Sequence, residues 1–244
     1  MPKELNPNQV DEADLGQVEL SQVGLGIFAK TAQLSPVKTR LANSIGVQKA
    51  DQFYQLSVQA IEQLALALPS QIHPHWAIAE ADGLGYAQWQ NLPHFWTGAG
   101  DLGARLHQVY TKLLETHDAA MLIGTDSPQL TPSLLQAGQD QLRKKPASIV
   151  IGPCSDGGFY LFAGGMDIPK SFWNSVTYSQ STTLSQMIIE LQKRHIEVDY
   201  LPEQQDVDVE EDLSTLRATL SAQPHLLPAQ RQLLNWLSRT ASTT

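Results

Sequence analysis

Four short stretches of this chain carry residue types whose spacing could do chemistry. In "IGPCSDGGFYL", residues 151–161, an apolar run ends in Gly-Pro and a second begins at Phe159, with Asp156, Gly157 and Gly158 between them. Asp-Gly between two strand-like runs signals a hairpin, since both residues tolerate the positive φ of a tight turn. The same corner would hold a carboxylate clear of the strands, where it could orient or deprotonate a hydroxyl; a turn with no further task is the alternative. In "KTAQLSPVKTRL", residues 30–41, Lys30, Lys38 and Arg40 fall within eleven residues of an otherwise acidic chain. Arg as a bidentate fork and Lys as a point charge suit a di- or triphosphate. The glycine spacing of a Walker loop is absent, and a solvated basic turn is the alternative.

The other two stretches are acidic. "LIGTDSPQL", residues 122–130, leaves Asp126 in a loop after an apolar run and before a helix that opens with Pro. A carboxylate there suits Mg²⁺ or Mn²⁺, hard ions that take one or two carboxylates together with substrate phosphates; a local turn or cap role competes with that reading. In "DVDVEEDL", residues 206–213, Asp206 and Asp208 are two apart, and only one of them is expected to face a site. Glu210, Glu211 and Asp212 read as the negative first turn of a helix. A further stretch, "GAGDLG" at 98–103, matches the dinucleotide-binding glycine spacing, but the preceding "QNLPHFWT" makes a poor buried strand and the ribose-binding acid is missing. Its glycines would still let a ligand approach the backbone closely.

These residues must be positioned by something, and the periodicity says what. "VGLGIFA" at 23–29, "HWAIAEA" at 75–81, "AAMLIG" at 119–124 and "IEVDYL" at 196–201 read as strands, together with the two apolar runs around Asp156. Helical spacing runs through 49–68, 101–117, 131–145 and 182–195, and through two stretches near 210–222 and 226–240. Asp101 is placed to cap the second of these, and Thr131 with Pro132 opens the third. Strands alternating with amphipathic helices imply βαβ units and a mainly parallel sheet, whose ligands sit beyond the carboxyl ends of the strands. That is where the acidic and cationic loops fall.

Composition narrows the class. The chain has 244 residues, 42% hydrophobic and 17% charged, with a net charge of −9. Its length suits one α/β domain with appendages. The acidic balance speaks against nucleic acid as a partner, and no apolar run is long enough for a membrane helix. The single cysteine, Cys154, cannot form an internal disulfide, which fits a cytoplasmic protein, and it reads as a small buried thiol. The expected organisation is a polar N-terminal arm over 1–20, expected to be mobile, a catalytic domain over 21–222 and a helical extension over 223–244 that packs on the domain. No internal repeat is visible.

Taken in order, "FAK", "VKTRLA", "GAGDLGARL", "LIGTDSP", "IGPCSDGGFYL" and "DVDVEEDL" resemble the bacterial radical-SAM/selenodomain-associated transferases, over about residues 24–215. That family includes glycosyltransferases of arsenosugar biosynthesis and lies in the GT-A nucleotide-diphospho-sugar transferase superfamily. The resemblance implies a three-layer αβα fold of GT-A type with a mainly parallel, mixed central sheet. It also implies that Lys30, Lys38, Arg40, Asp101 and Arg105 meet the nucleotide. Asp126 and Asp208, the latter in preference to Asp206, would bind Mg²⁺ or Mn²⁺. Asp156 would act on the acceptor, with Gly157 and Gly158 beside it or the sugar. The chain departs from the family pattern at Ala32 and Ser35, at Thr97, at Cys154 and near Tyr178, all in loops that would touch ligands.

The expected activity is therefore metal-dependent transfer from a nucleotide-diphospho-sugar to a small-molecule acceptor. A nucleotidyltransferase acting on an NTP and a phosphorylated small molecule would use the same groups. A non-catalytic nucleotide-binding module is the third reading. Neither base, sugar, acceptor nor oligomeric state is legible.

Overall fold

The computed structural model describes residues 20–241. The polar arm expected over 1–20 lies outside the described residues except for Leu20, which is buried. Seven strands form one sheet: β1 (Val23–Ala29), β2 (Ile72–Ile78), β3 (His94–Trp96), β4 (Ala119–Ile123), β5 (Ser148–Pro153), β6 (Phe159–Gly164) and β7 (Glu197–Tyr200). Their order is β3-β2-β1-β4-β6-β5-β7. All run parallel except β6, which is antiparallel to both β4 and β5. The sheet is thus mainly parallel and mixed, as expected.

The helices are α1 (Thr39–Ile45), α2 (Val47–Leu66), α3 (Leu102–Leu114), α4 (Pro132–Lys144), α5 (Lys170–Asn174), α6 (Thr183–Lys193), α7 (Glu210–Ala222) and α8 (Pro228–Ala241). They cover both faces of the sheet, and strand alternation divides the core accordingly. Val23, Leu25 and Ile27 of β1 join a cluster with Val58, Ile61 and Leu64 of α2 and Leu135 and Leu142 of α4. Phe28, one residue on, turns to the other face, where Val109 and Leu113 of α3, Trp173 of α5 and Met187 of α6 pack. A third cluster joins Leu41, Phe53, Leu216 and Leu233, so that α8 is seated on α2 and α7. Among the described residues no helix is long and apolar enough to cross a membrane.

Local signals place several helix starts. The Asp101 carboxylate accepts the Ala104 N–H at 2.9 Å and caps α3. Thr131 Oγ1 accepts the Leu134 N–H at 3.3 Å, with Pro132 as the first residue of α4. Two expectations need correction. The second strand, read at 75–81, lies three residues earlier. "QNLPHFWT", read as a poor buried strand, does contain a strand: β3, three half-exposed residues that complete the sheet edge through Trp76–Ile78.

Candidate active site

The carboxyl ends of β1 and β4 open into a cavity of about 1020 Å³, within the size range of small-molecule sites. Its wall includes Lys30 and Lys38 from the segment between β1 and α1, Arg40 from the first turn of α1, and Asp126 from the loop after β4. Asp156 enters from the β5–β6 connection, and Asp206 and Asp208 from the segment after β7.

The segment after β7 is bound to both neighbours by its backbone. Ser155 N–H donates to the Gln204 carbonyl at 3.1 Å, and Val207 N–H donates to the Asp126 carbonyl at 3.1 Å. Tyr160 O–H donates to the Pro202 carbonyl at 3.0 Å. These bonds bring the late acids against the end of β4 and the hairpin. Asp206 and Asp208 both line the cavity, so the expectation that only one would face it is corrected: in an extended chain residues two apart point to the same side.

Lys38 is the most constrained of the cations. It caps the start of α1 in the left-handed region, at φ 46° and ψ 43°. For a residue with a Cβ that conformation costs on the order of 1–3 kcal/mol and persists only where its surroundings enforce it. The enforcing contacts are visible. Its side chain is 4% exposed, with Nζ 2.6 Å from Asp126 Oδ1 and 3.7 Å from Asp208 Oδ1. Nζ also donates to the Val207 carbonyl. Arg40, largely exposed, reaches Asp208 Oδ2 at 3.1 Å. Lys30 is exposed at the end of β1, where the Tyr54 hydroxyl donates to its carbonyl and accepts its N–H, both at 2.8 Å. Burial pushes the Tyr54 hydroxyl pKa up, so this anchor stays neutral.

Asp156 sits exposed at the hairpin corner, with Oδ1 accepting the Gly158 N–H at 2.7 Å. Gly157 adopts φ 88°, and a Cβ there would meet the Ser181 carbonyl oxygen at 2.0 Å. The Leu184 N–H donates to the Gly157 carbonyl at 2.9 Å, which docks the corner on the start of α6. Gly158 lines the cavity, while Gly157 serves the turn and this close approach.

Asp206 is half-buried and groups with Cys154 and Asp156, their potential ligand atoms within 4.8 Å of one another. Burial, then the charges of Asp156 and Asp208, push its carboxyl pKa up to about 6. The Cys154 thiol is driven upward by burial and then by the charges of Asp206, Asp156 and Asp126, which leaves it protonated and unsuited to nucleophilic attack. With that thiol set aside, the cleft presents hard carboxylate oxygens that repel one another, a donor set that fits Mg²⁺ or Mn²⁺. The ground between Asp126 and Asp208 is held by the Lys38 ammonium.

Two other expected residues have scaffold contacts. Asp101 is the α3 cap already described. Arg105 lines the cavity but donates to the Gly100 carbonyl at 3.0 Å, the Ala79 carbonyl at 2.8 Å and Thr97 Oγ1 at 3.4 Å. Asp212 accepts from both Asp208 N–H and Val209 N–H at 2.9 Å, consistent with the reading of 210–212 as a helix start. Sequence reasoning missed the apolar and aromatic side of the cavity, including Phe28, Phe159 and Leu106. The position of Phe28, out of phase with Val23, Leu25 and Ile27, was the available signal.

Residues 57–180 match the family described as uncharacterised proteins conserved in bacteria, DUF2064. None of the curated proteins matches. Among solved structures, one similar to this chain is a candidate nucleotide-diphospho-sugar transferase from Desulfovibrio desulfuricans G20. It is 23% identical with a TM-score of 0.81, over 91% of this chain and 98% of that one. A CMP:2-keto-3-deoxy-manno-octonic acid synthetase complexed with CTP is 14% identical, TM-score 0.56, over 82% of this chain and 99% of that one. The 4-diphosphocytidyl-2C-methyl-D-erythritol synthase from Anaerococcus prevotii DSM 20548 is 13% identical, TM-score 0.52, over 84% and 98%. At these identities the likeness establishes the fold.

Proposed function

We propose, from the premise that this chain belongs to the DUF2064 family of uncharacterised proteins conserved in bacteria, that it is a transferase acting on a nucleotide-diphospho-sugar and a small-molecule acceptor. The observation that carries this is the single cleft in which Lys30, Lys38 and Arg40 face Asp126, Asp156, Asp206 and Asp208 at the carboxyl ends of the strands. The candidate nucleotide-diphospho-sugar transferase from Desulfovibrio supports the donor class, as does the resemblance to the radical-SAM/selenodomain-associated transferases. Residues 21–222 would form the catalytic domain and 223–244 its extension. A cytoplasmic location fits such a donor.

Lys38 and Arg40, with Lys30 at the rim, would bind the diphosphate and stabilise the negative charge that develops on it. Mg²⁺ or Mn²⁺ on Asp126 and Asp208 would supply further charge neutralisation there. Asp156 has one carboxylate oxygen bonded to the Gly158 N–H, which fixes its orientation. Its other oxygen would accept the acceptor's hydroxyl proton as that oxygen bonds to the anomeric carbon. The bond from that carbon to the diphosphate oxygen breaks, and its electron pair leaves with the nucleoside diphosphate. Asp101 would act through the α3 start, and Arg105 by holding the Gly100 and Ala79 carbonyls at the nucleotide side.

A second reading, nucleotidyl transfer with release of pyrophosphate, draws on the synthetase complexed with CTP and on three cations that would also serve a triphosphate. A thermal-shift panel with Mg²⁺ or Mn²⁺, comparing UDP-, GDP-, ADP- and CDP-sugars with the four NTPs, separates the two. A ligand at about one hundred times its Kd adds roughly 2.7 kcal/mol of stability. Metal-dependent stabilisation by one nucleotide sugar is the expected result. Preference for one NTP transfers the assignment to nucleotidyl transfer, and silence across the panel overturns both.

A further inference from the structure

The cleft has two chemically different walls, and they belong to opposite faces of the sheet. Lys38 and Arg40 lie at the start of α1, between Val37, which packs in the cluster of α2, and Leu41, which packs with Phe53 of α2 and Leu216 of α7. The facing wall is formed by Phe28, Leu102, Leu106, Phe159 and Tyr178. Leu106 belongs to the buried cluster beneath α3, α5 and α6, and Phe28, Phe159 and Tyr178 pack against that cluster. Three of these five side chains are aromatic.

The polar groups along this wall are already engaged. Tyr178 O–H donates to the Trp173 carbonyl at 3.0 Å. The Thr183 hydroxyl is bonded to the Thr177 and Gln180 carbonyls at 2.9 and 2.8 Å. Arg105 is committed to the Gly100 and Ala79 carbonyls. A polyol needs a partner for each hydroxyl it brings out of water, and each one left unpaired costs about 1–3 kcal/mol. An aromatic ring needs none, and gains from edge-to-face or offset contact with other rings. The exposed Ser179, Gln180 and Ser181 supply a polar rim outside the wall. Asp156 stands at its edge with Asp206 close by, so an anionic ring would be repelled.

We propose that the acceptor of this enzyme is a neutral, hydroxylated aromatic molecule, seated with its ring on the Phe28, Phe159 and Tyr178 wall and its hydroxyl toward Asp156. This rests on the transferase reading above, in which Asp156 meets the acceptor. It names the acceptor class that the wall favours and the acceptors it disfavours, free sugars and other polyols.

The test titrates the full chain with umbelliferone, a fluorescent hydroxylated aromatic, and separately with glucose. Saturable one-to-one binding of umbelliferone and none of glucose in the same range is expected. Phe159→Ala should weaken umbelliferone about tenfold or more, the size expected for losing one ring contact from an apolar site. Leu102→Gln, at an exposed helix position, should weaken it by a smaller factor, and it keeps the test intact if Phe159→Ala does not fold. Phe159→Ala should leave the affinity for nucleoside diphosphate unchanged. Glucose binding as tightly as umbelliferone, or both variants within twofold of the parent, overturns the proposal. The transferase reading fails separately, when the parent binds no nucleotide at all; a saturable aromatic site mapped to Phe159 would survive that result.

Discussion

Lys38 Nζ and Asp126 Oδ1 lie 2.6 Å apart, yet the lysine side chain is 4% exposed and the aspartate 51%. The cation is enclosed, and the anion it meets is open to the cavity. With Asp208 on its other side, the ammonium stands where a divalent ion shared by the two carboxylates would have to compete with it.

Removing that ammonium should therefore move two affinities in opposite directions. Lys38→Met should weaken nucleoside diphosphate binding about tenfold or more and strengthen Mn²⁺ binding to the nucleotide-free protein. The loss of stability should stay below about 2 kcal/mol, because the carboxylates left behind are solvated. Calorimetric titration of nucleotide and paramagnetic titration of Mn²⁺ read the two effects. Unchanged values for both would remove Lys38 from the phosphate and metal chemistry.

Asp126→Asn should abolish metal-dependent nucleotide binding while the melting temperature stays within a few degrees of the parent. The backbone carbonyl, not the carboxylate, holds the Val207 N–H, so the local scaffold survives the change. Full retention of metal-stimulated binding would sink the assignment.

The hairpin corner separates chemistry from structure at adjacent positions. Asp156→Asn should spare nucleotide binding and lose transfer, measured as release of nucleoside diphosphate with an acceptor present. Gly157→Ala should instead destabilise the protein by about 2 kcal/mol or more, from its φ of 88° and the encounter with the Ser181 carbonyl. A folding defect in Asp156→Asn, or a parent-like melt for Gly157→Ala, would reverse these roles.

Asp206 gives the site a pH signature. In the folded chain it holds its proton up to about 6, whereas an unfolded aspartate releases it near 3.9. Between those values the folded state binds more protons, so this group's contribution falls as pH rises and is level above the folded pKa. Asp206→Asn should be more stable than the parent at pH 7.5 in chelator, by on the order of 1–2 kcal/mol after allowing for solvent access. The difference should vanish near pH 4. Thermal melts at both pH values measure it, and a variant less stable than the parent at pH 7.5 would contradict the reading.

Much of this architecture was written locally. The β1 strand falls at 23–29 as the alternation of Val23, Leu25 and Ile27 requires, and Asp101 and Thr131 cap the helices that their positions announce. The second strand slipped by three residues because "IHPHWAI" carries two histidines and a proline in place of an apolar pattern. β3 escaped because three half-exposed residues at a sheet edge have no periodicity to detect. In the site, residue types were legible but partnerships were not. Arg40 and Asp208 are 168 residues apart, and nothing in either neighbourhood announces the other. The left-handed backbone of Lys38 was equally silent, since it is imposed by contacts that exist only after the strands assemble.

The central place of β1 has a consequence for how the chain is made. It pairs with β2 on one side and with β4 on the other, and β4 is synthesised roughly ninety residues after it. Until that segment leaves the ribosome, β1 presents an open apolar edge, the kind of surface that recruits other chains. Gly24 and Gly26 interrupt that edge. Their first task is to admit His117 and the Val109 and Leu113 side chains, but glycines also lower the tendency of a strand to seed cross-chain pairing. The same two residues thus serve the finished packing and lower the pairing tendency of β1 before β4 arrives.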